Sequence, residues 1–254
     1  MRADKFLYLT GKFPSRNKAA EYLEQGRALV NGRRVKPSFD MDERDEVEIV
    51  EEGFISNGGY KLETAVKLFN LSLSGKTCLD VGASTGGFTD CMLRYGAARV
   101  FATDVGENLL APQLAEDPRV TVLDNTNART LHPAMFPPLD FITCDVSFIS
   151  LTLVLPALFS LCGEGTECVV LVKPQFEAGR ANLNKNGIVR DPAVRVEVLE
   201  RIFDFVTGAG FSVRGVARAF KRDPEMNSEY VLCFSRQEDK PFDRALLREV
   251  LQND

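Results

Sequence analysis

The fold class of this 254-residue chain is decided by one stretch, Cys78-Leu79-Asp80-Val81-Gly82-Ala83-Ser84-Thr85-Gly86-Gly87-Phe88. Its apolar first half predicts a buried strand, and its glycines predict a tight turn that opens a helix. Glycines let the backbone approach a ligand closely where such a turn leaves a parallel sheet. We therefore expect an α/β fold with a ligand crevice at this turn.

Short apolar runs alternate with helical segments from residue 61 onward. They predict strands at Thr77–Val81, Val100–Asp104, Val120–Leu123, Phe141–Asp145, Cys168–Val172, Phe211–Ala219 and Tyr230–Phe234. Strands separated by helices indicate a mostly parallel, doubly wound sheet of the Rossmann type. The last two strands are joined by a polar stretch and are expected to form an antiparallel hairpin at one edge.

The first fifth of the chain differs from the rest in charge. Residues 1–39 carry nine basic and three acidic side chains, whereas residues 40–52 carry eight acids and one arginine, in a chain of net charge −5. Basic side chains concentrated on one module indicate phosphate contact, and a solvated surface is the alternative. We expect a small module at 1–52, a linker at 53–60 and the α/β domain at 61–254.

The local pattern of this module predicts a helix followed by a hairpin. Ser15 can cap a helix whose apolar stripe contains Ala19 and Leu23. Asn31-Gly32 predicts a tight turn between the strand Ala28 to Val30 and its return. The module is therefore expected to have an α+β fold.

Composition counts against several classes of function. The six cysteines are scattered without a CxxC pair, which indicates reduced core residues in the cytoplasm. His132 is the only histidine, so we expect neither a histidine triad nor a metal site. No apolar stretch reaches the roughly 20 residues of a membrane span, and the amino terminus lacks the form of a signal peptide. The sequence predicts a soluble cytoplasmic protein without membrane contact, and it indicates no obligate protein partner.

The glycine turn fits one cofactor motif better than another. The dinucleotide fingerprint G-x-G-x-x-G is not met, whereas acid-x-G-x-[GS]-x-G, the first motif of S-adenosylmethionine-dependent methyltransferases, is matched from Asp80 to Gly86. Asp104 lies about twenty residues further on, where a carboxylate can accept hydrogen bonds from ribose hydroxyls. The predicted S-adenosylmethionine-binding residues are Asp80, Gly82, Ser84, Gly86, Gly87, Phe88, Asp104 and Asn127.

Four charged residues are expected to act together. Asp145 closes the fourth predicted strand, and Lys173 closes the fifth. Glu229 precedes the last strand, and Lys61 lies at the start of the first helix after the linker. Because ligands bind at the carboxyl ends of the central strands, Asp145 and Lys173 should both reach the methyl donor.

The basic module resembles the alpha-L (S-four) RNA-binding module of a small-subunit ribosomal protein, tyrosyl-tRNA synthetases and pseudouridine synthases. The resemblance covers about residues 1–50, where the helix, the turn and the charges agree in register. In that family the basic helix and hairpin contact structured RNA. The resemblance therefore implies phosphate contacts by Arg16, Lys18, Arg33 and Arg34.

The α/β domain resembles the FtsJ-like ribose 2′-O-methyltransferases. The resemblance rests on the order Lys61, Asp145, Lys173, Glu229 and on the motifs Ser56-Asn57-Gly58-Gly59-Tyr60-Lys61-Leu62, Asp80 to Thr89, Cys144-Asp145-Val146-Ser147-Phe148 and Val172-Lys173-Pro174-Gln175-Phe176-Glu177. Together with the basic module, the chain is similar to the TlyA family, which carries the historical name hemolysin. That family methylates cytidine 2′-hydroxyls, which implies S-adenosylmethionine as the cofactor and ribosomal RNA or a ribosomal subunit as the partner.

The four charged residues suit this chemistry. A ribose hydroxyl is a poor nucleophile, so an enzyme must orient it and take its proton. Burial and the nearby charge of Lys61 would favour the neutral form of Lys173, which would act as the base. Asp145 and Glu229 would hold the two ammonium groups in place. Neither carboxylate should lie too close to Lys173, because its negative charge would favour the ammonium form, and the sequence leaves that balance open.

Two other functions stay open at this point. The historical family name suggests a pore-forming cytolysin, against which the missing signal peptide and membrane span count. The other alternative is a non-catalytic RNA-binding protein of ribosome assembly. The presence of all four charged residue types counts against it.

Overall fold

The computed structural model describes residues 1–11, 13, 15–24, 28–42, 44–49, 53–221, 225–237 and 241–252. The chain divides into two units, Met1–Gly53 and Phe54–Asp254. The predicted end of the basic module, Glu52, lies outside the described residues.

The amino-terminal unit combines two helices with a small antiparallel sheet. Its elements are α1 (Ala3–Leu9), α2 (Arg16–Glu24), β1 (Ala28–Val30), β2 (Arg33–Arg34) and β3 (Val47–Ile49), and the strand order is β2-β1-β3. Ser15 Oγ accepts a hydrogen bond from the backbone N–H of Lys18 at 3.2 Å, which confirms the predicted cap of α2. Asn31 and Gly32 have φ angles of 50° and 71°, as a tight hairpin turn requires.

The second unit is a doubly wound α/β domain, as predicted. Its elements are α3 (Asn57–Leu68), β4 (Thr77–Val81), α4 (Gly87–Arg94), β5 (Arg99–Thr103), α5 (Pro112–Ala115), β6 (Val120–Leu123), β7 (Phe141–Cys144), α6 (Leu155–Leu161), β8 (Glu167–Val172), α7 (Pro174–Glu177), α8 (Pro192–Gly208), β9 (Ser212–Arg218), β10 (Tyr230–Ser235) and α9 (Leu247–Gln252). The seven-stranded sheet has the order β6-β5-β4-β7-β8-β10-β9. Its first five strands are parallel, and β10 is antiparallel to β8 and β9, which confirms the edge hairpin.

Helices cover both faces of this sheet. One face packs against Leu155 of α6 and Ile202 of α8, and the other packs against Leu62 of α3 and Met92 of α4. Burial on both sides explains why the central strands are continuous apolar runs in the sequence. None of the helices within the described residues has both the length and the apolar composition that crossing a membrane demands.

The predicted linker at 53–60 is shorter in the structure because α3 begins at Asn57. Ser56 caps this helix by accepting a hydrogen bond from the N–H of Gly58 at 3.3 Å. The glycines here serve close packing: a Cβ on Gly59 would lie 2.1 Å from the ring of Phe54, and one on Gly87 would lie 2.9 Å from Gly59 N. The start of α3 therefore packs directly against the glycine turn before α4.

Candidate active site

Two adjoining cavities lie at the carboxyl ends of the parallel strands. Their volumes are about 340 Å³ and about 410 Å³. Gly82, Ser84, Asp145 and Ser147 line both, so the cavities form one space, which we call the crevice. A parallel sheet offers its ligand site at this edge.

The glycine turn forms one wall of the crevice. Gly82 leaves β4 with a φ of 82°, and a Cβ at this position would lie 2.6 Å from the carbonyl oxygen of Asp145. Only glycine accommodates both the φ angle and this close approach. The ends of β4 and β7 thus meet at a backbone surface that a ligand can approach.

Asp104 follows β5 directly, whereas the sequence predicted it as the last residue of that strand. Its two carboxylate oxygens accept hydrogen bonds from the backbone N–H groups of Ser84 and Gly106, both at 2.9 Å. These bonds fix the carboxylate, and each oxygen keeps a lone pair for a further donor. Asn127 lines the same part of the crevice, and its Oδ1 accepts a hydrogen bond from Arg129 N at 3.0 Å.

Two of the predicted cofactor residues do not line the crevice. Asp80 is fully buried beneath the turn, where the hydroxyls of Thr89 and Thr143 donate hydrogen bonds at 2.7 Å and 3.0 Å. Burial raises the pKa of this carboxyl to about 6. A Cβ on Gly86 would lie 2.3 Å from Leu114 Cδ1, so this residue faces α5. The predicted residues that do line the crevice are Gly82, Ser84, Gly87, Phe88, Asp104 and Asn127.

Lys173 and Asp145 form an ion pair at the crevice, with 2.6 Å between Nζ and Oδ1. The contact has the distance of an ion pair without the angle of a hydrogen bond. Ser147 Oγ accepts a hydrogen bond from Lys173 Nζ at 2.8 Å, and the ring centroid of Phe176 lies 5.9 Å from the same nitrogen. Lys173 is only 8% exposed, and its nitrogen is held by the half-buried carboxylate of Asp145 and by the hydroxyl of Ser147, an exposed residue.

Lys61 and Glu229 form the second ion pair. Lys61 Nζ lies 2.6 Å from Glu229 Oε2, and Gln175 Nε2 donates a hydrogen bond to Glu229 Oε1 at 2.8 Å. The structure thus decides which carboxylate holds which lysine, and it places Asp145 in direct contact with Lys173, closer than the sequence analysis expects. Each predicted lysine has one of the predicted carboxylates as its partner.

The four-residue helix α7 connects the surroundings of the two pairs. It begins directly after Lys173 and ends at Glu177, whose carboxylate is buried. Glu177 accepts hydrogen bonds from Ser150 Oγ at 2.8 Å and from Leu151 N at 2.7 Å. Because Ser150 and Leu151 belong to the loop that starts at Asp145, Glu177 fastens the loop after β7 to the loop after β8.

Comparisons with known proteins assign both units of the chain to known families. Residues 54–236 match the model of the FtsJ-like methyltransferases, and residues 1–47 match that of the S4 domain. The 16S/23S rRNA (cytidine-2'-O)-methyltransferase TlyA of Mycobacterium tuberculosis is 39% identical over 255 residues, which cover 98% of this chain and 95% of that protein. The chain belongs to the TlyA family of FtsJ-like methyltransferases. It is accordingly an S-adenosylmethionine-dependent methyltransferase.

Other relatives in the TlyA family carry the hemolysin name. Hemolysin A of Brachyspira hyodysenteriae is 39% identical over 238 residues, which cover 92% of this chain and 99% of that protein. A solved structure of a hemolysin-named protein from Streptococcus thermophilus has a TM-score of 0.75 and 38% identity, and the match covers 100% of this chain and 94% of that one. The similarity to both includes the amino-terminal unit as well as the FtsJ-like domain.

The cations predicted to contact RNA differ in their surroundings within the S4 domain. Arg16 lies 3.0 Å from Asp4, and Lys18 lies 2.9 Å from Glu21. Arg33 and Arg34 form β2 beside the hairpin turn, are exposed, and form no ion pair with any described residue. These two arginines are therefore the more available of the four for a phosphate.

Three residues of the TlyA-family site were missed as candidates by sequence reasoning: Ser147, Gln175 and Glu177. Each lies within four residues of Asp145 or Lys173 in the motifs that carry the family resemblance. Their positions in these motifs were the available signal, but short polar and acidic side chains in loops have many uses. Only the packed structure shows that they contact or connect the two ion pairs.

Proposed function

We propose that this chain methylates the 2′-hydroxyl of a cytidine in ribosomal RNA, acting in the cytoplasm. The observation that carries the proposal is the pair of Asp145 and the buried Lys173 beside the glycine turn, to which Gln175 of α7 connects the Lys61–Glu229 pair. The substrate follows the name of the relative from Mycobacterium tuberculosis, which is similar over almost the whole chain. The six cysteines are free and buried, as suits a reducing compartment.

The residues of the crevice fit S-adenosylmethionine. The open backbone at Gly82 and Ser84 would border it, Asp104 would accept hydrogen bonds from its ribose hydroxyls, and Asn127 would supply an amide. When bound, S-adenosylmethionine supplies an electrophilic methyl group on a sulfonium. Asp80 would act from beneath by holding the turn in shape through Thr89 and Thr143.

In this proposal Lys173 reacts as a neutral amine: its Nζ lone pair takes the proton that the ribose hydroxyl loses during methyl transfer, and the ammonium that forms is the charged partner of Asp145. Asp145 and Ser147 orient Nζ from two sides, so little orientational freedom is left to lose when the substrate binds. General-base assistance of this kind contributes about 10²- to 10⁴-fold to a rate. Lys61 acts as a fixed positive charge, held by Glu229, which Gln175 holds in turn.

The S4 domain supplies RNA affinity in this proposal. Arg33 and Arg34 would contact phosphates, and Arg16 and Lys18 would join them on exchanging their carboxylate partners for RNA. Contacts of this type carry little sequence information and weaken with salt. Recognition of the target nucleotide therefore has to come from elsewhere.

The test uses full-length protein, unmodified ribosomal subunits and methyl-labelled S-adenosylmethionine, followed by digestion to nucleosides. We expect label in 2′-O-methylcytidine, and we expect Lys173→Ala to lower it by roughly 10²-fold or more. Lys67→Ala is the matched control because Lys67 lies exposed on α3. Label on a base instead of a ribose, or undiminished label with Lys173→Ala, would contradict the proposal.

A further inference from the structure

A third cavity, of about 330 Å³, lies next to the crevice in the FtsJ-like domain. Asn57 lines both, so the two spaces adjoin at the start of α3. The Lys61–Glu229 pair lines this third cavity. We call it the amide cavity, after its lining residues Asn57, Gln175, Asn186 and Asn227.

Several of these amide groups have unused hydrogen-bonding capacity. Gln175 Oε1 is buried and has no hydrogen-bond partner among the described residues, because its Nε2 is directed at Glu229. The side-chain amides of Asn57 and Asn186 make no hydrogen bond with any described residue. A buried acceptor without a partner is costly, so a ligand that donates a hydrogen bond here would be favoured.

An aromatic ring forms another part of the lining. Phe220 is 41% exposed, and its ring lies 5.0 Å from that of Tyr60 with an interplanar angle of 36°. Tyr60 in turn packs edge-on against Phe54 at 5.0 Å. The ring of Phe220 is thus supported from one side while it remains accessible to the cavity.

A nucleobase has the chemistry that this lining complements. Proteins bind unpaired RNA bases by stacking them on aromatic rings and by hydrogen-bonding their polar edges, for which amide side chains carry both donors and acceptors. Glu229 would repel the phosphate backbone less than a free carboxylate, since both its oxygens are engaged by Lys61 and Gln175.

We propose that the amide cavity binds the base of a nucleotide adjacent to the methylated one, stacked on Phe220 and hydrogen-bonded by Asn57, Gln175 and Asn186. The inference rests on the proposed function for its RNA substrate. It makes the cavity a sequence-reading subsite, and it places the neighbouring base beside the Lys61–Glu229 pair. The phosphate contacts of the S4 domain would then supply affinity, and this subsite would supply selection.

The experiment is a double-mutant cycle between Phe220 and the RNA. Dissociation constants are measured by fluorescence anisotropy for full-length protein and an RNA spanning the methylated cytidine, either intact or abasic at its 5′ neighbour, its 3′ neighbour or the cytidine itself. We expect Phe220→Leu to weaken binding of intact RNA about fivefold or more, the lower end of the cost of losing one base stack. Phe220→Tyr, which keeps the ring, should bind like wild type.

The inference is tested by whether the affinity lost with Phe220→Leu depends on a particular base of the RNA. When the RNA lacks the base of one neighbour, wild-type protein should bind it about as weakly as Phe220→Leu binds intact RNA. Phe220→Leu should bind that abasic RNA no more weakly than wild type does. Phe205→Leu is the control because this partly buried ring lies on α8 and lines neither the crevice nor the amide cavity. The affinity for S-adenosylmethionine, measured by calorimetry, should not change in any of these variants.

Two results would overturn the inference. One is that the losses from Phe220→Leu and from each abasic neighbour multiply independently. The other is that coupling appears only at the methylated cytidine, which would make the cavity a pocket for the target base. Because binding is measured without transfer, coupling at one neighbour of a cytidine that is methylated on its base in place of its 2′-hydroxyl would count against the proposed function alone.

Discussion

The two lysine–carboxylate pairs have the same length but different origins. Lys173 and Asp145 follow neighbouring parallel strands, so the sheet alone brings them together. Lys61 and Glu229 are 168 positions apart and come from a helix and from the residue before an antiparallel strand. In the first pair the lysine also donates a hydrogen bond to the hydroxyl of Ser147, and in the second the carboxylate also accepts one from the amide of Gln175. The contrast suggests that the first pair handles a proton and that the second provides a fixed charge.

Arginine substitution at each lysine tests this contrast most strongly. Guanidinium keeps the positive charge but does not deprotonate in a protein. Lys173→Arg should lower the rate of methyl transfer roughly 10²-fold or more, whereas Lys61→Arg should cost less than about tenfold. The rates are to be compared in single turnovers with cofactor and RNA saturating. Equal losses at the two positions would remove the distinction.

Cofactor affinity should depend on neither lysine. Asp104→Ala removes a charged acceptor from the crevice and should weaken S-adenosylmethionine binding about tenfold or more, because hydrogen bonds to charged groups contribute about 1.5–3 kcal/mol. Lys173→Ala and Lys61→Ala should bind it with nearly wild-type affinity in calorimetry. If either lysine variant binds as weakly as Asp104→Ala, that lysine contacts the cofactor, and its assignment to the hydroxyl fails.

The hydrogen bonds of Glu177, which connect the loops of Asp145 and Lys173, should contribute to the free energy of unfolding. Glu177 accepts hydrogen bonds from the loop after β7 and also from Arg201 Nη2 at 2.9 Å. Glu177→Gln leaves buried donors poorly matched and should lower the free energy of unfolding by about 1–3 kcal/mol. We expect the transfer rate to fall as well, since the loops of Asp145 and Lys173 lose their connection. Glu197→Gln, on the exposed side of α8, is the control in denaturant titrations and should be neutral.

Asp80 differs from both ion pairs in its surroundings, and the effect expected of it, on the pH dependence of stability, is the smallest. Its neighbours are two threonine hydroxyls in place of a lysine, and its pKa is raised to about 6 by burial. A raised pKa in the folded state means that protonation stabilises the fold, so stability should increase as pH falls through this value. Between about pH 7 and about pH 5 the gain should be about 1 kcal/mol. Asp80→Asn should lack this gain in parallel titrations, and an unchanged slope would show that Asp80 is not its source.

Much of the fold followed from local patterns. The strands were predicted because they are apolar runs buried on both faces, and the hairpin turn at Asn31-Gly32 was predicted because few residues adopt its φ angles. The sequence predicts that α3 begins at Lys61, whereas it begins at Asn57, because Gly58 and Gly59 suggested a linker. In the structure these glycines allow α3 to pack against the turn at Gly87, a long-range contact that no local pattern reports.

The sequence by itself determined the order of strands and helices, the glycine turn and the placement of Asp145 and Lys173 at one edge. These follow from hydrophobic periodicity and turn preferences, which act over a few residues. The tertiary structure alone decided that Glu229 pairs with Lys61, that Asp80 faces inward, and that Gln175 and Glu177 connect the strand-end loops. Such facts depend on which distant segments pack together and on how each buried polar group finds its partner, and both are properties of the whole fold.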